Sequence, residues 1–157
     1  MVDYYSNFIE VARITSTISR SIIKELKAMF ARYRVPDVLV MDNGPQFMSA
    51  EFAVFAKALG FDHITLSLHH PQLNGKAKNA VKTVKQLFEK CKESGQSEFL
   101  ALLDWRNTPT ERVGTSPDQQ VMRQCCKTLV PIAGTLLKPQ SNPEEDAQAI
   151  IGMKKRQ

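Results

Sequence analysis

Asp42 closes a short apolar run, residues 38–41, and opens the segment Asp42-Asn43-Gly44-Pro45-Gln46-Phe47. A carboxylate delivered to the end of a strand is an oxygen ligand of the kind that hard divalent cations require. Residues 43 to 77 separate it from Lys78, which ends the segment Pro71-Gln72-Leu73-Asn74-Gly75-Lys76-Ala77-Lys78. An ammonium has no lone pair, so Lys78 repels such an ion instead of holding it. Lys78, Lys82, Lys85 and Lys92 recur at spacings of four, three and seven, which puts a positive stripe along one side of a helix. Such a stripe is read either as a solvated face or as a surface for phosphates. Gln72 and Asn74 have amides that suit a phosphate or a base edge, although turn formation accounts for Asn74 as well. His69-His70 lies far in sequence from Cys91, Cys125 and Cys126, without metal-ligand spacing.

These residues need elements to carry them. Residues 2–5 and 8–14 are β-rich around Ser6-Asn7 and predict a hairpin. Thr15 or Ser16 is expected to cap a helix with Ile18, Ile22, Leu26, Met29 and Phe30 on its core face, stopped by Val35-Pro36. The run 38–41 predicts a buried parallel strand that ends at Asp42. Ser49 predicts the cap of a second helix, with Phe52, Phe55, Ala56 and Leu59 inward and Gly60 as its stop. Residues 64–66 predict the next strand. The loop 69–75 leads into a long helix with Ala77, Val81, Val84, Phe88 and Cys91 on its apolar side. Ser97 begins a shorter helix through Phe99, Leu103 and Trp105, ended by Asn107-Thr108-Pro109. Ser116-Pro117-Asp118 signals one more helix start. Residues 132–157 read as a tail, with a weak helix from Glu144.

The 157 residues carry 21 basic and 16 acidic side chains, a net charge of +5, with the basic residues concentrated at 76–92. A polyanion partner fits that cluster. No window reaches the ~20 apolar residues of a membrane span, and the start lacks the pattern of a signal peptide. The chain therefore reads as soluble and intracellular, with no membrane partner. Three cysteines, two of them adjacent, argue against a disulfide framework.

The order of these pieces resembles the integrase core (RNase H-like, rve type) of retroviruses and gypsy-type LTR retrotransposons. Val2-Asp3-Tyr4-Tyr5-Ser6 resembles its second strand and Met41-Asp42-Asn43-Gly44-Pro45-Gln46-Phe47 its central acidic motif. His70-Pro71-Gln72 with Asn74-Gly75 resembles the loop before its last acid. Leu102-Leu103-Asp104-Trp105-Arg106-Asn107-Thr108-Pro109 and Ser116-Pro117 resemble its downstream markers. The resemblance covers residues 1–131 and implies an α/β, RNase H-like mixed sheet flanked by helices. It places the family's first acid on the strand before residues 2–6, so the first, central strand is expected to be missing. Residues 2–14 must then pair differently, stay partly unpaired, or accept a strand from another chain.

What the resemblance implies for chemistry is divided. The family performs DNA integration by metal-dependent phosphoryl transfer, with two Mg2+ or Mn2+ ions between three carboxylates. Asp42 takes the place of the second acid. The third falls on Lys78, since residues 43 to 77 are the 35 that the family places between its last two acids. Asp3 lies on the wrong strand to serve as the first. No cofactor is expected, and the resemblance implies a decayed or domesticated pseudoenzyme that at most binds nucleic acid, through Gln72, Asn74, Lys76, Lys78, Lys82 and Lys85. It also makes the nucleus the expected location. Two alternatives stay open. One is a self-associating or protein-interaction fragment. The other is an active integrase with unusual ligands such as Asp62 or Glu89, although Glu89 lies about 16 Å along the helix from Lys78.

Overall fold

The computed structural model describes residues 1–65, 71–110, 113–129 and 131–138, and of 71–74 the backbone alone. The chain divides into two compact units, one formed by Glu10–Asn79 and the other by Met1–Ile9 with Ala80–Gln157.

In the unit Glu10–Asn79, helix α1 spans Ser19–Tyr33, strand β1 Val38–Met41, helix α2 Ala50–Leu59 and strand β2 Asp62–Thr65. Helix α1 starts later than Thr15 or Ser16 would set it. The Ser16 hydroxyl accepts the Ile18 N–H at 3.4 Å, so that cap is used one turn early. Ile18, with extended backbone, becomes the N-cap instead, and its side chain is 59% exposed rather than facing the core. The buried stripe of α1 is Ile23, Met29 and Phe30. Arg34, at φ 95°, turns the chain away before Val35-Pro36.

Helix α2 follows its sequence signals. The Ser49 hydroxyl accepts the Phe52 N–H, and Gly60 closes the helix in the left-handed region at φ 72°, which a residue without Cβ adopts readily. Between α1 and α2 lies an aromatic core: Phe30 stacks on Phe55 at 6.1 Å, and Phe61 and Phe52 meet Phe55 edge-on at 5.4 and 5.6 Å. Edge-to-face rings gain attraction beyond the area they bury. Ile23 and Ala56 complete the cluster, with Leu26, Leu39 and Phe47 against it.

Strands β1 and β2 pair in parallel, Val38 with Asp62 through to Met41 with Thr65. The second strand begins at Asp62, two residues ahead of the expected Ile64, and the expected Leu66 lies outside the described residues. Among the described residues this is the whole sheet. That explains why β1 is not the buried strand its apolar run suggested: Val38 is 46% exposed and the rest half-buried. Helix α3, Pro71–Ser94, begins where a loop was expected, so Gly75 is helical. Its residues 71–79 belong to this unit.

The other unit holds residues 80–94 of α3, helix α4 at Glu98–Asn107 and helix α5 at Pro117–Met122. The expected hairpin is reduced to one antiparallel bridge, Val2 with Ile9. Ser6 donates its N–H at 2.7 Å and its hydroxyl at 2.6 Å to Asp3 Oδ2, and those bonds form the turn. Helix α5 carries a full capping box, Ser116 with Gln119, and Pro117 at its start. Arg106 donates through Nε and Nη2 to the Ile9 carbonyl at 3.0 and 2.7 Å, and its guanidinium lies 4.4 Å from the Phe8 ring centre. One side chain thus ties the amino-terminal turn to α4. Residues 139–157, including the helix expected from Glu144, lie outside the described residues.

Candidate functional site

Asp42 stands at the carboxyl end of β1, where open α/β sheets place their ligand-binding residues. Its side chain is exposed, and Oδ1 accepts the Gly44 N–H at 3.1 Å. This is an Asx-type turn, in which a short carboxylate satisfies the backbone two residues on. The loop after it is braced from two sides. Ser19 of α1 and Ser49 both donate to the Gln46 carbonyl, at 2.8 and 3.2 Å. A Cβ at position 44 would come within 2.2 Å of the Gln46 amide nitrogen, the end of a flexible side chain that would swing aside.

Lys78, Lys82, Lys85 and Lys92 are all exposed on α3. Lys76 differs, being half-buried and engaged in an interaction of its own. Gln72 and Asn74 lie in the first turn of α3 rather than in a preceding loop. The apolar side of the helix also shifts. Ala80 and Cys91 are its buried residues, with Ala77, Val84 and Phe88 half-buried, while Val81 is 54% exposed. The spacing from Ala77 through Ala80, Val84 and Phe88 to Cys91 keeps one face. Val81 lies beside Lys78, Lys82 and Lys85 instead.

No ion pair joins Asp42 to Lys78 among the described residues. Nor, among the described residues, do any three His, Cys, Asp or Glu side chains converge in an arrangement able to hold a metal ion. Asp42, with one oxygen in a turn, and the Lys78 ammonium do not fit a two-cation centre. Asp3, set aside as a ligand from its place in the chain, has its Oδ2 occupied by Ser6.

A second polar cluster went unnoticed in the sequence. Asn107, the last residue of α4, donates to the Leu103 carbonyl at 3.1 Å and to Asp118 Oδ2 at 2.9 Å. Its side-chain amide oxygen Oδ1 accepts the Cys126 N–H at 3.0 Å. Asp118 is 3% exposed. Burial pushes its carboxyl above the usual range, against the pull of the Arg106 charge and a hydrogen bond from Cys126. Burial also raises the Cys126 thiol, helped by the neighbouring Asp118 charge. In sequence Asn107 reads as a helix stop and Asp118 as a first-turn acid, so neither signals a partner eleven residues away.

Comparison with known proteins fits this geometry. Residues 1–71 match the family model described as "Integrase core domain". The chain is 30% identical over 124 residues to the uncharacterized protein K02A2.6 of Caenorhabditis elegans, covering 74% of this chain and 10% of that protein. It is 31% identical over 123 residues to the Pol polyprotein of feline endogenous virus ECE1, covering 74% of this chain and 12% of that one. The chain thus spans about a tenth of the length of these relatives. Among solved structures it resembles the catalytic core domain of BIV integrase, with a TM-score of 0.66, 22% identity, and coverage of 77% of this chain and 82% of that one. A chain of the simian T-cell lymphotropic virus intasome, solved with PP2A regulatory subunit B56 gamma, gives a TM-score of 0.69 at 20% identity, covering 90% and 50%. The fold is therefore that of the RNase H-like integrase catalytic cores, and through residues 1–71 the chain belongs to the integrase core domain family of retroviruses and retrotransposons.

Proposed function

We propose that this chain contacts nucleic acid through the exposed lysines of α3 and no longer performs the metal-dependent phosphoryl transfer of its family. The observation that carries this reading is Lys78, exposed on α3 at the position where the family resemblance calls for the third acid. Beside it, Lys82 and Lys85 are exposed on the same helix, and a row of ammonium groups suits a phosphate backbone. The net charge of +5 has the right sign for a polyanion. One neighbour in fold is part of an intasome, by its own description. Asp42 supports the loss of chemistry from the other end of the register, since its Oδ1 is engaged by Gly44.

Fluorescence anisotropy with a labelled DNA duplex, across a salt series, tests the reading. Three to five lysine–phosphate contacts predict a log–log slope of about −3 to −5. Lys82→Glu with Lys85→Glu is expected to make that slope shallower by about two, one for each contact removed. Binding insensitive to salt, or unchanged in the double variant, rejects it. Magnesium- or manganese-dependent strand transfer that vanishes in Asp42→Asn would reject the catalytic half.

Self-association is the second reading, favoured by Phe99. That ring is 79% exposed on α4, and the adjacent Leu100 is 43% exposed. Large apolar groups side by side on a surface are candidates for a protein contact. Sedimentation that stays monomeric at high concentration excludes it.

A further inference from the structure

Every exposed residue of α1 is basic or alanine: Arg20, Lys24, Lys27, Ala28, Ala31 and Arg32. Arg20, Lys24 and Lys27 recur at spacings of four and three, so they share one face, while Ile23, Met29 and Phe30 are buried. Arg32 is engaged elsewhere, donating to Glu10 at 2.8 Å. Helix stability alone does not select this pattern. Like charges a turn apart weaken a helix, and a cation in the first turn opposes its macrodipole. Helix α1 has Arg20 in its first turn and no acid there. Its own acid, Glu25, is half-buried and has no basic residue three or four positions away. Glu51 of α2 lies 3.5 Å from Arg20, but the two side chains are 49% and 85% exposed, so water screens the pair. Lys24 and Lys27 join no ion pair among the described residues. Lys27 Nζ lies 5.8 Å from the Phe55 ring centre, a contact that leaves its charge uncompensated.

We propose that the row Arg20, Lys24 and Lys27 is a second polyanion surface, which takes the phosphate backbone of a nucleic acid independently of the α3 lysines. A protein partner needs an apolar centre to its contact, and α1 exposes no large apolar side chain. A polyanion needs only charge. From Arg20 to Lys27 the helix rises about 10.5 Å at 1.5 Å per residue, and each strand of a duplex presents a phosphate about every 3.4 Å. Three cations therefore match a run of about three phosphates on one strand. Such contacts fix position and carry no sequence preference. The row belongs to the unit Glu10–Asn79, whereas Lys82 and Lys85 belong to the other, so this surface stands whether or not those lysines bind.

Anisotropy of a labelled DNA duplex at low salt tests the row in the intact chain, starting from a variant that carries Lys82→Gln and Lys85→Gln. That variant should still bind. Adding Arg20→Gln, Lys24→Gln and Lys27→Gln should weaken it about tenfold or more and make the log–log salt slope shallower by about three. Arg123→Gln, Lys127→Gln and Lys138→Gln, added instead, remove equal charge from exposed positions outside α1 and should change affinity by about twofold or less, because distant charges are screened. The urea midpoint of the α1 variant should match or exceed that of its parent, since repulsion between neighbouring turns is relieved. Should it fall, Lys24→Gln alone decides in its place, with an expected loss of about one unit of slope. Absence of binding in the starting variant, or a loss no larger than that of the charge-matched control, overturns the proposal. So does poly-glutamate that displaces the duplex from the starting variant as well as unlabelled duplex does at equal charge, which assigns the row to an acidic protein. A starting variant that binds as tightly as the wild type rejects the α3 reading alone, and the same α1 substitutions still judge the row.

Discussion

Asp3 and Ser6 share two hydrogen bonds on one carboxylate oxygen, from the Ser6 hydroxyl at 2.6 Å and the Ser6 N–H at 2.7 Å. Ser6 is 1% exposed, and its hydroxyl oxygen also accepts the Phe8 N–H at 3.1 Å. Asp3 therefore organises the turn that sets Phe8 and Ile9 into the core. Asp3→Ala should cost about 1–2 kcal/mol, from the loss of a carboxylate acceptor beneath a buried hydroxyl. Asp3→Asn, which keeps an acceptor oxygen, should cost less than half of that. Urea denaturation of the three proteins compares them. A metal-binding role would predict a different outcome, namely unchanged stability and altered cation affinity.

The proposal that Lys78 stands where the family has its third acid can be measured directly. Lys78→Glu adds a carboxylate and removes a positive charge from α3. Titration calorimetry with Mn2+ should show tighter cation binding in the variant than in the wild type, since each added anionic oxygen ligand favours a hard ion. The same variant should weaken duplex binding and make the salt slope shallower by about one. A wild-type chain that binds Mn2+ as tightly as Lys78→Glu would refute the mismatch between these residues and a two-cation centre.

Local signals in the sequence carried much of this fold. Ser49 and Gly60 bound α2 as their types require and Ser116-Pro117 opens α5, because caps depend on a few neighbouring backbone groups, whereas Ser97 stands at the N-cap of α4 without a side-chain cap bond. The segment Met41-Asp42-Asn43-Gly44-Pro45-Gln46-Phe47 pointed to the family through residues that are close in sequence. What stayed hidden depends on distant partners. Whether Val38 is buried depends on how many strands flank it, and four apolar residues in a row do not encode that number. Ser16 and Ile18 compete for the start of α1 at a cost too small for pattern to decide. Helix α3 starts at Pro71, in keeping with the preference of proline for a first turn, yet Asn74-Gly75 suggested a loop. The bridge that Asn107 makes between Asp118 and Cys126 left no trace in periodicity, since the three residues sit on different elements.

Phe52 is 0% exposed and meets three aromatic rings: Phe47 and Phe55 at 5.6 Å each and His63 at 4.9 Å. Its N–H is also the one that Ser49 caps. Phe52→Ala should cost about 3–5 kcal/mol through the lost transfer energy and the cavity left among rigid rings. Phe52→Leu should cost less, because it refills most of the volume. Thermal denaturation followed by near-ultraviolet circular dichroism, which reports the packing of these rings, provides the comparison. Similar losses in the two variants would argue that the pocket collapses around either side chain.

His63 introduces a pH dependence into the same core. Its Nε2 is buried with no hydrogen-bond partner among the described residues, and its ring lies against Phe52. Desolvation holds the folded-state pKa below the ordinary value of 6.5, because a charged imidazolium would lose its water there without gaining an acceptor. The unfolded chain therefore binds the extra proton first as pH falls. Stability from the neutral ring is fully present above about pH 6.5 and declines as pH drops from there through the folded-state pKa, below which this contribution levels off. Replacing His63 with Phe keeps an aromatic ring and removes the titration. The wild-type urea midpoint should fall relative to that of His63→Phe between pH 7 and pH 5, while the two curves run parallel between pH 7 and pH 8. Curves that stay parallel down to pH 5 would mean that His63 finds an acceptor for its proton in the folded chain.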